Sequence, residues 1–168
     1  AAELFAKRQL KPVLVDYTAE NSASLKRNFL EAVDTATWGI LENGYKEGYG
    51  ANAAGLKAEE DIVKALLYGY SMIGFDCSDK IDLSLEKLSD EEIEKRYNGL
   101  NDAFREALAA SYLNVEFKVG ANTVKFTDKE LRRIVLEYGE AIMHVQFIYN
   151  SYLKNTPWDI DFELSLSK

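Results

Sequence analysis

His144 is the only histidine in the chain, and Glu140 and Glu137 stand four and seven residues before it, so on a helix the three side chains share a face. Such a face can ligate a metal. A di-iron bundle, however, requires two Glu-x-x-His motifs and further glutamates from other helices. Here one histidine stands at a different spacing beside Met143, Val145 and Ile148, and a half-buried or interface histidine is the better reading. Cys77, the single cysteine, would need a nearby base or positive charge to become a nucleophilic thiolate. Its neighbours Asp76 and Asp79 act in the opposite sense, so a small, partly buried thiol is expected.

Asp76, Ser78, Asp79 and Asp82 collect oxygen atoms of the kind that calcium takes, but the glycine and the twelfth-position glutamate of a calcium loop are missing. They read as capping or solvated carboxylates. Gly50 and Gly55 have the glycine spacing of a phosphate-binding loop, yet Leu56 occupies the lysine position and Lys57 the hydroxyl position. A flexible connection between helices accounts for them better. No catalytic, cofactor-binding or metal-binding constellation emerges, and the chain reads as a non-enzyme without a cofactor.

The aromatic residues are the stronger lead. Ten tyrosines and two tryptophans offer an apolar body with a polar tip, the combination that anchors protein interfaces. Tyr45 and Tyr49 flank the glycine-rich stretch with Tyr68 and Tyr70, while Tyr149, Tyr152 and Trp158 gather near the C-terminus. Ile160, Phe162 and Leu164 alternate with acids and serine to make an apolar strand face. These eight residues, Tyr45, Tyr49, Tyr149, Tyr152, Trp158, Ile160, Phe162 and Leu164, are the candidate contact residues.

Helices dominate the elements that must position them. After the capping candidates Asn21 and Ser22, the spacing of Leu25, Phe29, Val33, Ala36 and Ile40 predicts a first long helix. A second starts at the acidic run Glu59-Glu60-Asp61 and carries Ile62, Leu66, Tyr70 and Ile73 on one face. Ser89 with Glu92, and Thr127 with Glu130, form capping boxes that open two more helices, one reaching Tyr112 and one reaching Tyr152. Val115, Phe117 and Val119, the turn Gly120-Ala121-Asn122, and Val124 and Phe126 read as a β-hairpin. A short helix is conceivable over residues 1–9, and Val13 to Tyr17 reads as a strand. The reading is therefore a mainly α (α+β) fold, with three to four long helices and a small hairpin or sheet that includes terminal strands. It forms a single domain, 1–168, with an N-terminal arm at 1–17 and a C-terminal strand or arm at 158–168.

A net charge of −8 disfavours nucleic acid, whose binding rests on Lys and Arg neutralising phosphates. It also disfavours an anionic membrane surface, and no run reaches the ~20 apolar residues of a membrane span. A soluble protein is expected. Ala1 stands where Met would begin a chain, which leaves export open.

From Leu113 to Leu153, the run Val115-Glu116-Phe117-Lys118-Val119-Gly120-Ala121-Asn122-Thr123-Val124-Lys125-Phe126-Thr127, followed by a helix containing His144-Val145-Gln146, resembles a small domain. That domain occurs at the C-termini of tailed-phage tail and tail-fibre assembly proteins. Phe117 stands where that family usually carries tryptophan. The resemblance implies a structural or assembly role in a phage or prophage particle, in the virion or the host cytoplasm. Protein partners are expected, as a homo-oligomer or as particle components. The alternative is a soluble helical domain, with export left open, that binds a small apolar ligand or a protein partner.

Overall fold

The computed structural model describes residues 4, 7, 8, 10–18 and 24–166, and the chain divides into two compact units, Ala1–Asp79 with His144–Lys168, and Lys80–Met143. In the first unit, β1 (Val13–Thr18), β2 (Gly50–Leu56), β3 (Met72–Asp76) and β6 (Asp161–Ser165) form one sheet in the order β1-β2-β3-β6. Every neighbouring pair is parallel. Parallel neighbours require crossovers rather than hairpins. Helices α1 (Phe29–Glu42) and α2 (Glu59–Leu67) lie in the first two crossovers.

This α/β architecture corrects the mainly helical expectation, and the physical cause lies in β2 and β3. The sequence of β2, Gly-Ala-Asn-Ala-Ala-Gly-Leu, lacks the β-branched and aromatic residues that mark strands, so it reads as a loop between helices. Buried on one face, it needs only small side chains: Ala51 and Ala53 are 3% and 0% exposed. The periodic run after Glu59 continues through Tyr70 and Ile73, but α2 stops at Leu67, and Ile73 belongs to β3. Gly69 has φ +81, a left-handed conformation that ends the helix.

Aromatic contacts identify the helix side of the sheet. Tyr17 stacks on Phe29 of α1 with ring centroids 3.9 Å apart, and Tyr70 meets the same ring edge-on at 5.5 Å. The Tyr70 hydroxyl donates to the Phe29 carbonyl at 3.1 Å. Farther along, Phe75 faces His144 and Phe162 faces Tyr149. Val15, Ala51, Ala53, Ile73 and Phe75 are buried on this side.

The second unit contains α3 (Asp90–Asn98), α4 (Asp102–Tyr112), the antiparallel hairpin β4 (Glu116–Val119) and β5 (Asn122–Lys125), and residues 128–143 of α5 (Asp128–Ile148). Both capping boxes form as the sequence indicates: the Glu92 amide donates to the Ser89 hydroxyl and the Glu130 amide to the Thr127 hydroxyl, each at 3.3 Å. The helix expected from Ser89 to Tyr112 is instead two helices, because the chain breaks at Gly99 and restarts where Asn101 accepts the Phe104 amide. The first long helix begins at Asn28, which shares a capping box with Glu31. Asn21, Ser22 and most of the short helix over residues 1–9 lie outside the described residues.

Candidate functional site

Because the four strands are parallel, their C-terminal ends share one edge of the sheet, and side chains alternating away from the helices share one face. Asp16 on β1 pairs in register with Asn52 on β2, and Gly74 on β3 pairs with Glu163 on β6. Tyr17, Ala53, Ile73 and Phe162, their neighbours on the opposite side, face the helix layer, so these four look away from it. The Asn52 side-chain nitrogen donates to Asp16 Oδ1 at 2.9 Å. Glu163 is exposed and has no hydrogen-bond or ion-pair partner among the described residues.

Ala54 and Gly74 are the small positions of this face, while Met72 stands in register between Asn52 and Asp161. A methyl group added at Gly74 would lie 3.2 Å from the Ala54 Cα, so a side chain there would crowd the β2 backbone. Ala54 and Gly74 form a low floor flanked in register by Thr18 and Glu163, with Asp16 and Asn52 two residues earlier on their strands. Hydroxyl-rich molecules suit such a surface, since carboxylates accept hydrogen bonds strongly.

The rim is set by a bulge in β2. Pairing with β3 shifts register between Ala53 and Leu56, and Gly55 has φ +67, a conformation open to glycine at little cost. The shift buries Leu56 and leaves Lys57 at the end of the strand, where its ammonium donates to Asp79 at 2.8 Å and lies 3.6 Å from Asp76. The Asp79 hydrogen bond, against a smaller desolvation effect, holds the Lys57 pKa above its ordinary value. Burial pushes Asp76 upward, but the Ser78 amide donating at 2.8 Å and the Lys57 charge outweigh it, and its pKa falls.

The aromatic contact candidates do not assemble into one patch. Tyr45 is buried, and its hydroxyl has no partner among the described residues. Tyr49 is half-buried and donates to the Val33 carbonyl at 3.2 Å. Tyr152 donates to Glu59 at 2.7 Å, and this carboxylate raises its pKa. Tyr149 pairs with Phe162, while Ile160 is half-buried and Trp158 and Leu164 remain exposed. His144 packs against Phe75 and Phe147, and Glu140 instead pairs with Lys80 at 3.1 Å. The residues that sequence reasoning missed are Asp16, Asn52 and Glu163. An acid inside the apolar run Val13 to Tyr17 was the available signal. In the sequence Lys57 belongs to the glycine-rich stretch and Asp76 and Asp79 to a separate acidic one, and the fold brings the three together.

All of residues 1–168 match the family model described as UxaE, tagaturonate epimerase. A tagaturonate/fructuronate epimerase of Thermotoga maritima is 32% identical over 159 residues, covering 95% of this chain and 32% of that protein. The crystal structure of fructuronate-tagaturonate epimerase UxaE from Cohnella laeviribosi with one glycerol superposes with a TM-score of 0.90 at 33% identity, covering 99% of this chain and 34% of that one. The native crystal form gives 0.85 at 34% identity, covering 92% and 32%. The chain thus spans about a third of the length of these relatives.

These matches overturn the phage tail-assembly resemblance, and with it the structural, non-enzymatic role, the virion location and the alternative of an apolar-ligand domain. The segment that carried the resemblance, a hairpin followed by a capped helix, is a local pattern that unrelated folds share. No helix among the described residues is long and apolar enough to cross a membrane. With the family model matched from end to end and the relatives agreeing in fold and sequence, the chain belongs to the UxaE tagaturonate epimerase family.

Proposed function

We propose that this chain is part of an epimerase that interconverts keto sugar acids of the fructuronate and tagaturonate kind, and that its parallel sheet supplies part of the substrate site. The match of the whole chain to the epimerase family model is the observation that carries this reading. The geometry is in keeping with it. Within the four-stranded sheet, strand order follows chain order and every pair is parallel, the progression of a (β/α) barrel, whose active sites form at the C-terminal ends of the strands. β1 and β6 are open edges of the sheet, with Val13 and Leu14 exposed on the first and Leu164 on the second.

The other two thirds of a polypeptide of the relatives' length would supply the strands that close such a barrel over the face carrying Asp16, Asn52 and Glu163. The exposed Trp158 and Leu164 are proposed as contacts to that remainder or to a second copy. Inverting one carbon of a sugar acid requires that one bond at that carbon break and re-form on the opposite face, with the substrate hydroxyls held in fixed positions meanwhile. Acceptors around the Ala54 and Gly74 floor suit the second task. Incubating the natural-length protein with fructuronate, and following tagaturonate by proton NMR, tests the proposal. Interconversion in both directions is expected, and none in either direction would refute it.

A further inference from the structure

We propose that Asp16 and Asn52 act as one unit, in which Asn52 positions the Asp16 carboxylate and Asp16 orients a substrate hydroxyl by accepting its hydrogen bond; this rests on the epimerase reading and deepens it. Three observations carry the inference. Asp16 and Asn52 sit opposite each other on adjacent strands, on the face turned away from α1 and α2. The Asn52 amide nitrogen donates to Asp16 Oδ1 at 2.9 Å, which holds that oxygen and leaves Oδ2 to make contacts of its own. The Asn52 amide oxygen is buried without a partner among the described residues.

The last point is the most informative. An asparagine with a buried, unpaired acceptor costs stability relative to a small apolar residue at the same place, and neighbouring positions of β2 are alanine. Asn52 contributes its donor, and the donor is spent on Asp16. A carboxylate with one oxygen tethered has a fixed plane, so its other oxygen accepts from a defined direction, which is what a positioned hydroxyl requires. Two residues farther along, Ala54 and Gly74 keep the surface low, while Met72 stands directly beside Asn52.

The test uses the natural-length protein and four variants, Asp16→Asn, Asn52→Ala, Asn52→Asp and Asp16→Glu, with kcat and KM for fructuronate, its Kd by calorimetry and a melting temperature for each. Asp16→Asn keeps the shape and loses the charged acceptor, so kcat/KM should fall about 10- to 100-fold. Asn52→Ala should cost about 3- to 10-fold, and mainly in kcat, because the substrate still meets the carboxylate but at an unfixed angle. Asn52→Asp preserves the shape better than alanine yet sets a like charge against Asp16, so it should be the worse of the two. A purely structural asparagine predicts instead that activity falls only in step with the melting temperature, with kcat unchanged per folded molecule.

Kinetics of Asp16→Asn within twofold of the wild type, or Asn52→Ala worse than Asn52→Asp, overturns the inference. Should Asp16→Asn fail to fold, Asp16→Glu and the order of the two Asn52 variants decide. A wild-type protein without turnover defeats the epimerase reading instead. The pair is then judged on fructuronate Kd alone, and equal binding by wild type and Asp16→Asn, including none by either, overturns it.

Discussion

The two units of the chain are stabilised by different means. In the unit built on the parallel sheet, Ala53, Ile62, Ala65 and Ile73 are fully buried and Leu56, Tyr70 and Phe75 are 1% exposed, so apolar burial between residues far apart in sequence dominates. The unit of residues 80–143 has a smaller core, centred on Leu85, Ile93, Tyr97, Leu131 and Ala141, and many local polar devices. Arg132 pairs with Glu94 at 2.8 Å and with Asp128 one helical turn away, while its guanidinium lies 5.7 Å from the Tyr97 ring centre. Two capping boxes start helices there. The difference teaches that one unit is specified by neighbours along the chain and the other by partners that only the finished sheet brings together.

The comparison is most severely tested in the sheet. Phe75→Ala should cost about 3–5 kcal/mol, since truncating a buried aromatic removes its transfer energy and leaves a cavity; urea denaturation would measure it, and a loss under 1 kcal/mol would mean that β3 is not a core strand. Next comes Gly74→Ala. A methyl 3.2 Å from backbone cannot be relieved by a side-chain rotation, so a loss of about 1–3 kcal/mol is expected from overpacking. An unchanged midpoint would show that β2 and β3 can move apart.

Capping probes the other unit. Ser89→Ala and Thr127→Ala should each cost about 1 kcal/mol by leaving a helix amide without its acceptor, and unchanged melting temperatures would separate those hydrogen bonds from stability. The smallest effect is on pH dependence. Asp76 has a folded pKa below its ordinary 3.8, so its contribution is complete above that value and is lost as pH falls through the folded one. The melting temperature of Asp76→Asn should therefore fall less than that of the wild type on acidification from pH 5 to pH 2.5. Parallel curves would show that Lys57 and Ser78 do not hold the carboxylate in its charged form.

What was legible in the sequence follows the same division. Ser89, Thr127 and the alternation from Val115 to Phe126 act through residues three to ten positions away, and the helix starts and the hairpin they announce form in place, although the helix from Ser89 ends at Asn98. β1 and β6 also form where alternation marks them. β2 was not legible, because small residues suit a strand packed among others while giving no strand signal of their own. The parallel pairings were illegible for a related reason: nothing near Gly50 or Met72 indicates which distant segment will lie beside it. The candidate site suffered most. Asp16, Asn52 and Glu163 are single polar residues on three separate strands, and only the sheet puts them on one face.

The β3–β6 pairing also has a consequence in time. Met72 pairs with Asp161, about 90 residues later, and the whole of the second unit is made between them. At synthesis rates of roughly 5–20 residues per second, β3 waits about 5–20 s on the ribosome before its partner exists. Throughout that interval the capped helices and the hairpin, whose contacts are local, can fold in microseconds to milliseconds. An unpaired apolar strand edge invites pairing with other chains. Aggregation during synthesis should thus be governed by the delay rather than by the stability of the finished protein, and slowing translation between codons 80 and 160 should lower the soluble yield without changing the melting temperature of the protein recovered.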